Sequence, residues 1–123
     1  MERNEKMSIL FLEYPKCTTC KKAKAWLEGN NIPFADRHIV ENNPTAEELK
    51  AWWGKSGMPL KKFFNTSGML YKEMQLKDKL PEMSEEEQIA LLATNGMLVK
   101  RPLIIGEDFV LVGFKEAEWE RLK

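Results

Sequence analysis

The sequence predicts an α/β domain built on a mixed four-stranded sheet with one helical insertion. Three observations carry this expectation. Residues 7 to 40 read strand, helix, strand; residues 44 to 96 read almost wholly as helix; residues 101 to 123 return to two strands and a short helix. A strand–helix–strand unit of about 35 residues calls for parallel pairing and a right-handed crossover, whereas strands joined by a tight turn pair antiparallel. The sheet is therefore mixed. The whole chain, 1–123, reads as one domain, long enough to bury a core without disulfides or metals.

The elements follow in order. "MSILFLEY", Met7 to Tyr14, is an apolar run of strand formers closed by Pro15. "CTTCKKAKAWLEGNN" is rich in helix formers and stops at Gly29, Asn30 and Asn31. "PFADRHIV" reads as a second strand with partial alternation. The middle opens with a capping box, Thr45 with Glu48, ahead of Leu49, Trp52 and Trp53 at helical spacing. Trp52 and Trp53 are adjacent, so a helix buries one and leaves the other partly exposed, a candidate partner-binding patch near Gly57. "PLKKFF" and "GMLYKEMQL" read as short helices around a turn at Asn65 and Thr66. A second box, Ser84 with Glu87, starts a helix expected to run to Gly96. Leu103–Ile105 and Phe109–Val112 flank Gly106, Glu107 and Asp108, which is hairpin chemistry, and "KEAEWERLK" closes the chain as a helix.

Composition narrows the function. Nineteen basic and nineteen acidic residues cancel, which argues against a direct nucleic-acid binder. No apolar run approaches the roughly 20 residues of a membrane helix. "MERNEKM" is polar, reads as no secretory signal, and residues 1–6 are expected to be a flexible tail. A cytoplasmic location follows as the default, where thiols stay reduced.

Both cysteines, Cys17 and Cys20, sit in "YPKCTTCKKAKAWL". A structural disulfide between adjacent helical turns would constrain almost nothing at long range. A structural zinc site wants four ligands, and the chain offers two cysteines and one histidine, His38, so no metal site is expected. Redox exchange fits best, because C-x-x-C directly after a strand and opening a helix is the thioredoxin-like arrangement. Unpaired N–H groups and the positive end of the helix dipole favour a thiolate there, and Lys16, Lys21 and Lys22 add positive charge. Cys20 shares helical spacing with Ala23 and Leu27, the apolar side, and should point inward; Cys17 lies at the loop mouth. Cys17 is thus the expected nucleophile and Cys20 the resolving thiol. The lysines Lys16, Lys21, Lys22 and Lys24 suit either a solvated face or anion attraction, and His38 suits a structural or surface role better than catalysis.

From Met7 to about Leu122 the chain resembles the arsenate reductase-related (ArsC/Spx) family, on "YPKCTTCKKAKAWLEGNNIPF", "NPTAEELKAWW", "MPLKKFFNTSG" and "KRPLII…VLVGF". The resemblance implies a thioredoxin-like, glutaredoxin-type fold with a helical insertion and a cis peptide before Pro102 facing the cysteines. It implies that Cys17 attacks the oxidised substrate, a small oxyanion such as arsenate or a disulfide, and that Arg101 holds negative charge beside it. Lys61 stands where the family's arsenate reductases carry a second arginine, and "VLVGFKE" offers no third. A lysine keeps the charge but not the planar fork that suits oxyanions. Lys16, Lys61 and Pro102 would then line the substrate groove. No bound cofactor is implied; an external thiol reductant, glutathione with glutaredoxin or thioredoxin, would recycle the pair. The alternative branch, Spx-type regulators, binds the RNA polymerase α subunit and uses C-x-x-C as a redox switch. It commonly carries a basic tail beyond the last helix, and this sequence ends at Lys123. A thiol-dependent reductase therefore ranks first.

Overall fold

The computed structural model describes residues 9–123; Met7, Ser8 and the expected tail at 1–6 lie outside the described residues. Strand β1 (Ile9–Glu13) leads into helix α1 (Thr18–Gly29) and strand β2 (Phe34–His38). β1 and β2 pair in parallel, from Ile9 opposite Phe34 to Glu13 opposite His38. The hairpin of β3 (Leu103–Ile105) and β4 (Val110–Val112) then adds antiparallel to the other edge of β1, giving the order β2-β1-β3-β4. Phe109 falls outside β4 because the turn closes through Gly106 N–H donating to the Phe109 carbonyl at 2.9 Å.

Strand alternation divides the core between the two faces of the sheet. Ile9, Phe11, Ile104 and Leu111 face α1, where Ala23 and Leu27 meet them together with Trp119 and Leu122 of the C-terminal segment. Leu12, Leu103, Ile105, Val110 and Val112 face the helical insertion. Trp119, fully buried in the short helix α6 (Glu116–Trp119), stacks edge to face on Phe11, Trp26 and Phe114 and donates its Nε1–H to Gly113.

In the insertion, α2 (Ala46–Ser56) starts at the Thr45–Glu48 capping box and stops at Gly57, whose φ of 69° is left-handed. Trp52 is buried and Trp53 half-buried, its indole N–H donating to Met58 O, which leaves no broad aromatic patch there. "PLKKFF" forms a single 3-10 turn, Leu60–Phe63. "GMLYKEMQL" splits into α3 (Met69–Glu73) and α4 (Leu76–Lys79) because Gln75 takes a left-handed φ of 55°. Helix α5 (Glu85–Leu92) begins at its capping box but ends four residues short of Gly96. Gly96 serves a close approach instead: a Cβ there would lie 1.9 Å from the Ile39 carbonyl oxygen. Among the described residues no helix is long and apolar enough to cross a membrane.

Candidate active site

The site begins where β1 ends. Cys17 N–H donates to the Tyr14 carbonyl, which closes the strand exit, and Lys21 N–H donates to Cys17 O as the first helical bond. Cys17 is thereby the N-cap of α1, its extended backbone (φ −88°, ψ 123°) aiming the sulfur back over the first turn. Its Sγ accepts from Cys20 N–H at 3.4 Å, the job a serine or aspartate oxygen does at other helix starts. Cys17 is part-exposed and Cys20 fully buried, both as free thiols, as the helical spacing predicts.

The two sulfurs are driven apart in acidity. Burial pushes Cys17 upward, but the N–H and thiol of Cys20, the Arg101 charge and the Thr19 N–H outweigh it, so the Cys17 pKa is lowered. Burial carries Cys20 the other way, to about 12, with the neighbouring Cys17 adding to the rise. Arg101 is the positive charge that helps to lower Cys17. Its Nη1 donates to Met97 and Val99 carbonyls, its guanidinium lies 5.3 Å from the Tyr14 ring centre, and its buried Nε has no partner among the described residues. The following peptide bond, Arg101–Pro102, is cis.

A groove of about 690 Å³ opens beside this turn, lined by Thr19, Arg101 and four lysines, Lys61, Lys62, Lys100 and Lys115, with Glu118 the acid among them. The insertion frames it, because Asn65 N–H donates to Leu98 O and Lys100 N–H to Phe63 O, each at 2.8 Å. Lys61 thus sits in the same groove as Arg101, whereas Pro102 is buried behind it and Lys16 is exposed outside the lining. Lys21 and Lys22 are exposed too, and the favourable charge at Cys17 comes from Arg101. His38 serves structure: its Nδ1 accepts from Val40 and Glu41 N–H. Among the described residues no cluster of His, Cys, Asp or Glu could hold a metal ion.

Sequence reasoning missed Glu13, whose side chain is buried on the α1 face of β1 beside Lys24 and Asp36. The signal was present: Ile9, Phe11 and Glu13 alternate in phase, which puts a carboxylate on the core face. Lys62, Lys100 and Lys115 were also missed, because residues distant in sequence meet only through the fold.

The profile of the ArsC family matches residues 12–122, nearly the whole chain. The chain belongs to the ArsC family. It is 57% identical over 114 residues to the uncharacterized protein YusI of Bacillus subtilis, across 93% of this chain and 97% of that one. It is 33% identical to the global transcriptional regulator Spx of Enterococcus faecalis, across 87% of this chain and 80% of Spx. Among solved structures, an ArsC family related protein from Bacteroides fragilis superposes with a TM-score of 0.91 at 68% identity, covering 94% of this chain and 97% of the other. The four-stranded mixed sheet with its flanking helices is the thioredoxin-like fold of that family.

Proposed function

We propose that the protein is a thiol-dependent reductase in which the Cys17 thiolate attacks an oxidised substrate and Cys20 resolves the adduct. The observation that carries this reading is the split acidity of the pair: a part-exposed, lowered Cys17 at the helix N-cap over a buried, raised Cys20. A thiolate held that way is both reactive and reachable, and its partner stays protonated until the second step. On a disulfide substrate, Cys17 attack breaks the S–S bond, releases one thiolate and leaves a Cys17 mixed disulfide; Cys20 then attacks Cys17, releases the second thiol and leaves a Cys17–Cys20 disulfide for an external thiol, glutathione with glutaredoxin or thioredoxin, to reduce. Arg101 holds negative charge beside Cys17, and the five cations of the groove favour an anionic substrate.

Arsenate is expected to be the weaker substrate. Lys61 and its neighbours offer point charges, with Arg101 the one planar fork in the lining. Steady-state turnover of a neutral hydroxyethyl disulfide and of arsenate, each coupled to glutathione or to a thioredoxin system, tests the reading. Disulfide reduction lost in Cys17→Ser is expected, with arsenate turned over weakly; vigorous arsenate reduction would reverse the substrate order. A regulator reading is favoured by the likeness to Spx. It predicts sub-micromolar binding of the RNA polymerase α C-terminal domain, where we expect none tighter than about 10 μM, an affinity of roughly 7 kcal/mol.

A further inference from the structure

We propose that Tyr14 is a positioning residue of this site: the face of its ring seats the Arg101 guanidinium and so holds that cation beside the Cys17 turn. The proposal rests on the reductase reading above and adds a part to its first step, the attack by Cys17.

The sheet register brings the two residues together. β1 and β3 run antiparallel, with Leu10 opposite Ile105 and Leu12 opposite Leu103. Carried two residues past Leu12, the same register sets Tyr14 opposite Arg101, in phase with the Leu12–Leu103 pair that faces the insertion. Residues opposite one another on one face are close neighbours, within easy reach of a long side chain. The Arg101 guanidinium carbon accordingly lies 5.3 Å from the Tyr14 ring centre. That is inside the roughly 6 Å over which an aromatic face attracts a cation.

The other contacts of Arg101 leave this task to the ring. Its two hydrogen bonds both start from Nη1, both at 3.3 Å, and both end in its own segment, on the Met97 and Val99 carbonyls. They tie the guanidinium to the end of the insertion and not to the cysteine turn. Nε is buried with no hydrogen-bond partner among the described residues, and an aromatic face is a better neighbour for such a group than an aliphatic one.

Tyr14 in turn is fixed to the turn that carries both cysteines. Its carbonyl accepts the Cys17 N–H at 2.9 Å, and its own N–H hydrogen-bonds the Cys20 sulfur. The ring is half-buried against the insertion side of the core and meets the His38 ring edge to face, with the centres 5.9 Å apart. His38 is locked from behind, since its Nδ1 accepts from Val40 and Glu41 N–H. One side chain thus links β2, the turn after β1 and the segment ahead of β3, and the Arg101 charge felt by Cys17 depends on that link. The work falls to the ring face, not to the phenol hydroxyl.

Brief alkylation of Cys17 in the reduced protein, with neutral iodoacetamide and with anionic iodoacetate, tests the proposal. The iodoacetamide rate follows the thiolate, and the ratio of the two rates reports positive charge at the sulfur rather than its exposure. Tyr14→Leu should slow iodoacetamide by about two- to five-fold and lower the iodoacetate-to-iodoacetamide ratio. Tyr14→Phe, which keeps the ring face, should recover most of both. In an Arg101→Ala background Tyr14→Leu should add nothing, because it acts through the arginine. If Tyr14→Leu does not fold, the unmodified protein decides: its Arg101 Nε–H signal in NMR spectra should be shifted upfield by the ring and protected from exchange. Parent-like alkylation of Tyr14→Leu, an equal loss in Tyr14→Phe, a further loss in the Arg101→Ala background, or an Nε–H signal like that of free arginine would each overturn the proposal. Absence of disulfide turnover with the alkylation pattern intact would overturn the reductase reading and leave the seating of Arg101 standing.

Discussion

Replacing Glu13 by glutamine should remove the share of stability that the unmodified protein loses as pH rises through about 7. Glu13 titrates near 7 in the fold against 4.5 for an ordinary glutamate. Between those values the folded protein holds a proton that the unfolded chain has released. The stability this adds is fully present below pH 4.5 and is lost as pH rises through about 7. At about 1.4 kcal/mol per pKa unit, the loss is on the order of 3 kcal/mol. Asp36 and Lys24 shift in the opposite sense to Glu13 or outside this window, since Asp36 moves below 3.8 and Lys24 above 10.5. Groups common to both proteins cancel when the variant is compared with its parent. Guanidinium chloride unfolding at several values between pH 5 and pH 8, with the thiols kept reduced, measures the difference. The parent should lose on the order of 2 to 3 kcal/mol more than Glu13→Gln across that range. Parallel curves would show that Glu13 does not carry a strongly raised pKa, and the reasoning from its burial would fail.

Three further outcomes follow from other parts of the fold. Arg101→Ala removes the cation beside Cys17, so iodoacetamide alkylation of Cys17 at neutral pH should slow by about three- to ten-fold, and Arg101→Lys should recover most of the rate. Glu48 accepts both Arg37 terminal nitrogens at 2.8 Å and caps α2 through Thr45 N–H, which lowers its pKa to about 2. Its side chain is 36% exposed, so Glu48→Gln should cost about 1 to 2 kcal/mol at neutral pH, a difference that shrinks as pH falls from 4.5 towards 2 in denaturant titrations. Gly96→Ala drives a methyl into the Ile39 carbonyl, and thermal unfolding should report a loss of about 2 kcal/mol or more.

The parts legible in the sequence were those with local signals. Both capping boxes, the hairpin turn, the crossover unit and the inward Cys20 each declare themselves within a few residues, because capping and burial periodicity are local physics. The end of α5 was misjudged because nothing local stops the helix at Leu92; Gly96 is glycine for its contact with Ile39, in a segment distant in sequence. The same reason hid the groove. Lys61, Lys100 and Lys115 come from three segments that the fold alone brings together. Lys16 is exposed beside Cys17, and neither residue is among those that line the groove. Glu13 stood in plain alternation, but a carboxylate at a strand end is so often solvated that its phase with Phe11 went unused.

The most direct measurement of the central claim is where a disulfide substrate becomes attached. Cys20→Ser leaves Cys17 unable to be resolved, so brief exposure of that variant to a neutral hydroxyethyl disulfide at neutral pH should trap one adduct. Peptide mapping by mass spectrometry should place it on Cys17, while Cys17→Ser should remain unmodified over the same interval because its remaining thiol, Cys20, is fully buried and burial holds it as a thiol. An adduct forming on Cys20 in Cys17→Ser as fast as on Cys17 in Cys20→Ser would contradict the account.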